Sequence, residues 1–318
     1  MSVMNYSDAG KAALAECMRA DPTIWAVGED LGHGGVFGQY MGLEEEFGPE
    51  RIVSAPISEA AIMGSAVGGA LTGTRPIVEL RFADFALCAI DEIVNQAAKA
   101  RYMFGGQAKV PLVIRQPSGM WRASAAQHSQ SLEAWYTHIP GLVVVMPATP
   151  ADNYGLLKAA IECDDPVVYM EHKDLWPLEG EVPEGHTVEI GKASVLHEGS
   201  DVTIVTWSKT RHVALEATKT LARSGTSVEL FDLRSLWPWD RECVLASAAK
   251  TGRLIVAHEA VRDGGFGAEV AATAAEEVAG LKLARIGAPR IPIPYSTPLE
   301  DMVRVTAETI IGAVERLA

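Results

Sequence analysis

Short apolar runs alternate with longer amphipathic stretches along the first half of the chain. The apolar runs are too short for helices, which is typical of buried strands. The predicted strands are Thr23–Val27, Pro76–Leu80, Pro111–Arg115, Leu142–Met146 and Pro166–Glu171. The predicted helices are Tyr6–Arg19 with Ser7 as its N-cap, Ala60–Gly73, Phe85–Met103 and Asp152–Glu162. Strands that alternate with helices in this way predict a mainly parallel sheet covered by helices on both faces.

The alternation breaks between Leu175 and His186, a segment with two prolines, two glycines and several glutamates. This composition is typical of a linker. The pattern resumes beyond it, with predicted strands at Asp201–Trp207, Val228–Leu233, Leu254–His258 and Lys282–Ile286, and a helix at His212–Ser224. The sequence therefore predicts an α/β protein of two domains, the first at residues 1–180 and the second at residues 187–318.

The composition is that of an ordinary folded protein, with 48% hydrophobic and 21% charged residues among 318. A net charge of −14 argues against non-specific nucleic-acid binding, because phosphate backbones repel an acidic protein. No apolar run is long enough to span a bilayer, and residues 1–8 lack the blocks of a secretory signal. We therefore expect a cytoplasmic protein that binds neither nucleic acid nor membrane. The four cysteines form no CxxC pair, so we expect reduced thiols.

Two glycine-rich segments are candidates for phosphate binding. They lie at Gly32–Gly35 and at Gly264–Gly267, and the second precedes a predicted helix whose N-terminus could hold an anion. Neither has the GxGxxG spacing of a dinucleotide site, and no GxxxxGK[ST] motif occurs. A tight turn between strand and helix is the favoured interpretation of these glycines.

Two ionisable side chains stand in segments that could line a cleft. Glu59 lies between a strand-like segment and a helix of small residues, where a carboxylate is commonly a helix cap or a partner of the helix dipole. His128 lies in a polar loop, where a histidine is more often a structural hydrogen-bonding group than a catalytic one. The local sequence leaves the role of both residues open.

Longer motifs carry a family resemblance that spans essentially the whole chain. They are the segment Gly28–Phe85, which includes SAPISEAAIMG and ELRFADF, then DEIVNQAAKARYMFGG, QHSQSLEAWYTHIPGLVVVMPATP and VELFDLRSLWPWD. In this order they resemble the β subunits of thiamine-diphosphate-dependent 2-oxo-acid dehydrogenases, a family that includes the pyruvate, branched-chain and acetoin enzymes. The resemblance implies a thiamine-pyrimidine-binding parallel-sheet domain followed by a transketolase C-terminal-like domain. It also implies a first component that transfers an acyl group to a lipoyl carrier.

The resemblance assigns roles to individual residues. Glu59 matches the glutamate that hydrogen-bonds the aminopyrimidine ring of thiamine, where a shared proton helps the amino group of the cofactor to act as a base. Phe85 matches an aromatic residue that packs against this ring, and Phe82 and Ile57 are expected beside it. Core packing is the alternative for both phenylalanines. His128 matches an active-site histidine that faces the substrate or the lipoyl group during acyl transfer.

The motif that holds Mg²⁺ and the diphosphate of thiamine, a GDG followed by an asparagine-containing segment, is not found. The chain has no GDG and only three asparagines, which are Asn5, Asn95 and Asn153. We therefore expect an α subunit to hold the Mg²⁺ and the diphosphate, in an α2β2 heterotetramer that serves a lipoyl-bearing acyltransferase core.

A potassium ion is a further expectation from the resemblance. Backbone carbonyl oxygens suit a hard cation and require no particular side chain, so the sequence itself says little about such a site. The residues that would supply these oxygens are Leu112, Ala160, Ile161, Cys163 and Asp165.

The chain departs from the family pattern just before His128. Trp121 and Arg122 stand in SGMWRASAAQHSQ, where related subunits have small residues. Arg122 could bind a substrate carboxylate or make an exposed salt bridge. Asp91 and Arg101 lie in family motifs and are interpreted as structural ion-pair residues.

Two other functions stay open at this level. A subunit of a split transketolase-like enzyme would share the fold and the glutamate but would not use lipoyl. A non-catalytic β chain that organises α subunits is the second alternative. Glu59 and His128 are both present in the chain, which argues against that alternative.

Overall fold

The computed structural model describes residues Met1–Ala318, which divide into two structural units. The first unit consists of Met1–Ser118 and Trp135–Ile190, and the second of Gly119–Ala134 and Gly191–Ala318. The units interleave along the sequence, because residues 119–134 belong to the second unit. The predicted domains, 1–180 and 187–318, are continuous and therefore do not include this exchange.

Parallel strands dominate residues 1–190. The strands are β1 (Ser2–Asn5), β2 (Ile24–Glu29), β3 (Ile52–Ala55), β4 (Arg75–Glu79), β5 (Val113–Ser118), β6 (Val143–Val145), β7 (Val167–His172) and β8 (Glu179–Val182). The helices are α1 (Tyr6–Ala20), α2 (Leu43–Phe47), α3 (Glu59–Leu71), α4 (Ala98–Met103), α5 (Glu133–Thr137) and α6 (Pro150–Glu162). Six of these strands pair in parallel in the order β6-β7-β5-β4-β2-β3, so the predicted parallel sheet is confirmed.

Two local predictions for this unit are wrong. Asn5, not Ser7, caps α1, because its side-chain oxygen accepts a hydrogen bond from the Asp8 N–H at 2.8 Å. The predicted linker contains β8, which pairs antiparallel with β1. The remote partner β1 thus orders a charged segment that carries no strand pattern of its own.

The segment predicted as one helix from Phe85 to Met103 is broken into three types of turn. It begins as a 3₁₀ helix at Phe85–Ala89, widens to a π-helix at Glu92–Ala97, and ends as α4. The Asp91 carboxylate accepts hydrogen bonds from the side chains of Asn95 at 2.6 Å and Gln96 at 3.3 Å, beside the wider turn. Asp91 therefore binds neighbouring amides, whereas Arg101 forms the expected ion pair, with Asp165 at 2.5 Å.

A charged network lies inside the first unit. The buried Arg115 guanidinium reaches Glu171 at 2.8 Å and Glu79 at 3.2 Å, and the Tyr40 hydroxyl donates to Glu79 at 3.0 Å. Buried charges persist when they are paired and hydrogen-bonded in this way. The network joins β4, β5 and β7, so it fixes the centre of the sheet whose edge carries the candidate site.

The second unit is a smaller α/β sheet. Its sheet consists of β9 (Ser194–His197), β10 (Val202–Thr206), β11 (Val228–Asp232), β13 (Arg253–Val261) and β14 (Lys282–Ala288), and the short strand β12 (Ser235–Trp237) is not part of this sheet. Its helices are α7 (Thr210–Arg223), α8 (Arg241–Thr251), α9 (Gly267–Glu277), α10 (Thr297–Val303) and α11 (Ala307–Leu317). Five strands follow the order β14-β13-β10-β11-β9, with β9 antiparallel at one edge. None of the helices in either unit has both the length and the apolar character that crossing a membrane requires.

Candidate active site

The carboxyl ends of the parallel strands of the first unit gather the candidate residues at one edge of the sheet. Glu29 is the last residue of β2 and is opposite Ala55, the last residue of β3. Glu59 follows β3 and begins α3, while Phe82 and Phe85 follow β4. Ligands of open α/β sheets bind in the crevice outside these strand ends. The fold therefore places the predicted cofactor residues of this unit where a ligand site is expected.

Glu59 is half-buried at the first position of α3. It is the acidic residue of the first turn, and the side chain of Ser58, the N-cap, makes no capping hydrogen bond. The positive end of the helix dipole favours a carboxylate at this point. Glu59 therefore faces the helix dipole without acting as the cap, which leaves its carboxyl group available to a ligand.

A second carboxylate and a guanidinium lie in the electrostatic surroundings of Glu59. Burial raises the pKa of Glu29, the Arg81 charge opposes this rise, and the Glu59 charge adds to it. Arg81 Nη1 lies 3.4 Å from Glu29 Oε2. Sequence reasoning missed both Glu29 and Arg81, although their positions at strand ends were available as a signal. The negative charge of Glu59 therefore acts on Glu29, which is paired with the Arg81 guanidinium.

Aromatic residues form a cluster at the same edge. Phe82 is buried and meets Phe85 edge-to-face, with ring centroids 5.4 Å apart, and Phe37 in the same way at 5.6 Å. Lys173 Nζ lies 4.7 Å from the Phe82 ring centroid. Phe85 is half-buried and Ile57 is largely exposed, at 73%. Phe85 and Ile57 thus offer accessible apolar surface, and Phe82 supports Phe85 from behind.

His128 lies in the second unit, in the loop Gly119–Ala134. The Gly119 N–H donates to the Gln130 carbonyl at 3.1 Å and closes the loop, and the His128 N–H donates to the Ala125 carbonyl at 3.4 Å. His128 is half-buried, whereas the next residue, Ser129, is buried beside a cavity of about 410 Å³. The loop therefore holds a partly accessible imidazole in a defined backbone conformation.

The five carbonyl groups predicted for potassium come from the end of α6 and from Leu112, just before β5. Arg75 Nη1 donates to the carbonyls of Ile161 at 2.9 Å and Cys163 at 3.1 Å, and the Leu112 carbonyl accepts from the Val167 N–H at 2.8 Å. No sequence motif indicates this role of Arg75. The structure contains no group of three or more His, Cys, Asp or Glu side chains that could hold a metal ion.

Two domain families match the chain. The family model described as the transketolase pyrimidine binding domain matches residues 2–179, which include Glu59. The model described as the transketolase C-terminal domain matches residues 191–310. Together the two matches cover both halves of the chain in the predicted order.

Curated relatives align with nearly the whole chain. The 2-oxoisovalerate dehydrogenase subunit beta of Bacillus subtilis is 41% identical, covering 100% of this chain and 99% of that protein. The acetoin:2,6-dichlorophenolindophenol oxidoreductase subunit beta of Cupriavidus necator is 44% identical, covering 96% and 94%. Among solved structures, a split-gene transketolase described as an inactive β4 tetramer has a TM-score of 0.82 at 28% identity, covering 98% and 97%.

Proposed function

Because the chain belongs to the family of dehydrogenase β subunits built from a transketolase pyrimidine-binding domain and a transketolase C-terminal domain, we propose that it is the β subunit of a thiamine-diphosphate-dependent 2-oxo-acid or acetoin dehydrogenase. One observation carries this proposal. Glu59 begins α3 at the carboxyl edge of the sheet, Ile57 precedes it by two residues, and the 3₁₀ turn that begins with Phe85 packs against α3.

The residues at this edge fit the aminopyrimidine half of thiamine. Bound thiamine supplies the nucleophilic carbon and the internal base of the reaction. Glu59 would hold a proton between its carboxyl group and the ring nitrogen, as a positioned acid–base group does. Phe85 and Ile57 would pack against the ring, and Phe82 would keep Phe85 in place.

We assign to His128 the handling of charge or a proton during acyl transfer. His128→Ala should leave cofactor activation unchanged but slow acyl transfer by about 10²- to 10⁴-fold, the usual contribution of a positioned acid–base group. Lipoyl acylation rates, measured against thiamine diphosphate concentration, check this expectation. His138→Ala, which alters an exposed histidine, is the matched control. Loss of cofactor binding in His128→Ala would argue against the assignment.

The diphosphate and its Mg²⁺ require a partner chain in this proposal. The resemblance implies a GDG motif as the group that holds both, and the sequence has none. An α subunit would supply both groups in an α2β2 assembly, and a lipoyl-bearing acyltransferase would accept the acyl group. A cytoplasmic location is expected for this assembly, and cell fractionation tests it.

A potassium ion near the end of α6 remains part of the proposal. The carbonyl oxygens of Leu112, Ala160, Ile161, Cys163 and Asp165 would hold it. Each carbonyl oxygen has two lone pairs, so those that accept a hydrogen bond can still contact an ion. Arg75 already places a positive charge there, so the ion has a competitor. A melting temperature that is equal in KCl, NaCl and choline chloride would argue against the ion.

Reconstitution tests the proposed function directly. The chain is co-expressed with an α subunit and assayed with thiamine diphosphate, Mg²⁺ and either a lipoylated domain or an aldehyde acceptor. We expect turnover with the lipoylated domain and none from the chain alone. Transfer to the aldehyde alone would favour a split transketolase. This is the second candidate function, because a solved structure similar to this chain is a split-gene transketolase. An assembled complex without any thiamine-dependent turnover would indicate a scaffolding chain.

A further inference from the structure

The loop that carries His128 also carries a cation without an acidic partner. Arg122 is exposed and forms no salt bridge. The exposed salt bridge, one of the two interpretations that the sequence leaves open, is therefore not formed within the chain.

Trp121 holds the guanidinium of Arg122 in a defined place. The Cζ atom of Arg122 lies 5.1 Å from the centroid of the Trp121 ring, and the indole is half-buried. A guanidinium over an aromatic face keeps the N–H donors at its edge free for a second partner. Trp121 thus reduces the motion of the cation without consuming its hydrogen-bonding capacity.

The backbone of the loop adds to this order. Arg122, Ala123 and Ala125 have φ angles of 48°, 53° and 65°, in the left-handed region that residues other than glycine seldom adopt. The Ser124 N–H donates to the Trp121 carbonyl at 3.0 Å, which closes a turn over Arg122. Strained residues of this kind persist where the surrounding structure determines them, and they cluster at ligand sites.

A second turn connects this segment to His128. Its N–H donates to the Ala125 carbonyl at 3.4 Å, and the Gly119–Gln130 hydrogen bond joins the ends of the loop. Arg122 and His128 therefore belong to one closed segment of backbone. In the proposed function, the acyl or lipoyl group on which His128 acts would therefore contact the loop that also carries Arg122.

We propose that Arg122 binds the carboxylate of the substrate, and that the substrate is therefore a 2-oxo acid and not the neutral hydroxyketone acetoin. This inference rests on the proposed function. A planar guanidinium matches a carboxylate through two parallel N–H···O bonds, and such charge-assisted bonds are among the strongest in proteins. Acetoin is neutral, so its oxygens could accept only ordinary hydrogen bonds from the guanidinium, which are weaker than those of an ion pair.

Steady-state kinetics of the αβ complex test the inference. The substrates are pyruvate, 2-oxoisovalerate and acetoin, and the variants are Arg122→Gln and Arg122→Lys. We expect Arg122→Gln to raise KM for the 2-oxo acids about tenfold to a hundredfold, with little change in kcat, because it removes a charge-assisted contact. Arg122→Lys should recover part of the loss. Arg223→Gln, which removes an exposed positive charge at the end of α7, should behave as the wild type.

The dependence of KM on ionic strength distinguishes substrate binding by Arg122 from a purely structural role, which would not change that dependence. The wild-type KM for a 2-oxo acid should rise with ionic strength, and this dependence should be lost in Arg122→Gln. Unchanged KM values in that variant, or equal losses with acetoin, would overturn the inference. Wild-type turnover of acetoin alone would overturn it and leave the proposed function standing. A complex without thiamine-dependent turnover on any substrate would overturn both.

Discussion

Glu59 and Glu79 belong to the same edge of one sheet but differ in their surroundings. Glu59 is half-buried at the start of α3, where a ligand can reach it. Glu79 ends β4 and is enclosed by Arg115 and the Tyr40 hydroxyl. The first arrangement suits proton exchange with a cofactor, whereas the second stabilises the fold.

The buried Glu79 predicts a pH dependence of stability. Burial raises its pKa to about 7, the nearby Arg115 charge opposes the rise, and the Glu171 charge adds to it. A raised pKa means that the folded state favours the neutral carboxyl group. This contribution to the free energy of unfolding is therefore complete below about pH 4.5, the value for a free glutamate, and is lost as the pH rises through 7.

Urea unfolding between pH 5 and pH 8 measures this effect. The wild-type free energy of unfolding should fall over this range by a few kcal/mol at most, on the order of 1 to 3. Glu79→Gln, which keeps a neutral side chain of the same shape, should show a flatter profile. An identical slope in both proteins would show that Glu79 does not titrate in this range.

At the scale of whole elements, the C-terminal end of α6 is capped by a side chain from β4, a strand that is distant in sequence. The last carbonyls of a helix lack partners within the helix and carry its negative partial charge. Arg75, at the start of β4, donates to the Ile161 and Cys163 carbonyls and forms an ion pair with Asp164 at 2.9 Å. One side chain therefore caps the helix and joins it to the central sheet.

Two arginines at this helix end give a matched pair of variants. Arg75→Gln should lower the free energy of unfolding by about 1 to 3 kcal/mol, because it removes several partly buried hydrogen bonds. Arg101→Gln breaks only the exposed pair with Asp165 and should cost about 0.5 kcal/mol or less. Chemical denaturation of both variants checks the difference. Equal losses would mean that the capping contacts of Arg75 do not stabilise α6.

The elements that sequence predicts best are those with their own apolar pattern. The predicted strands Thr23–Val27 and Pro76–Leu80 correspond to β2 and β4 within two residues at each end. By contrast, β8 is charged and exists because β1 pairs with it, a partner far away in sequence. Local reasoning cannot detect such a pairing. It also cannot detect the change from 3₁₀ to π turns after Phe85, since apolar spacing does not distinguish these helices.

The same limit applies to the candidate site. Family motifs predict roles for Glu59 and Phe85 because these motifs are continuous in sequence. Lys173, whose ammonium group faces the Phe82 ring, follows a strand on the far side of β5 and carries no local signal. The role of Arg75 was likewise beyond reach, because it depends on carbonyl partners that only the fold brings near.

At the scale of the whole molecule, the chain provides one part of an enzyme. In the proposed function, Glu59, Phe85 and Ile57 of the first unit would hold the pyrimidine ring, and an α subunit would hold the Mg²⁺ and the diphosphate. Within the second unit, the loop of His128 also carries the guanidinium of Arg122. Activity should therefore appear only when an α subunit completes the site, and Glu59 should be the group of this chain on which it depends most.

Turnover of the reconstituted αβ complex with Glu59→Gln tests this claim most directly. Its matched control is Glu308→Gln, which changes an exposed first-turn glutamate of α11. We predict that Glu59→Gln assembles normally but loses about 10²- to 10⁴-fold in kcat, as expected when an acid–base group is removed, while the control keeps its activity. Normal turnover and normal cofactor activation in Glu59→Gln would contradict the account.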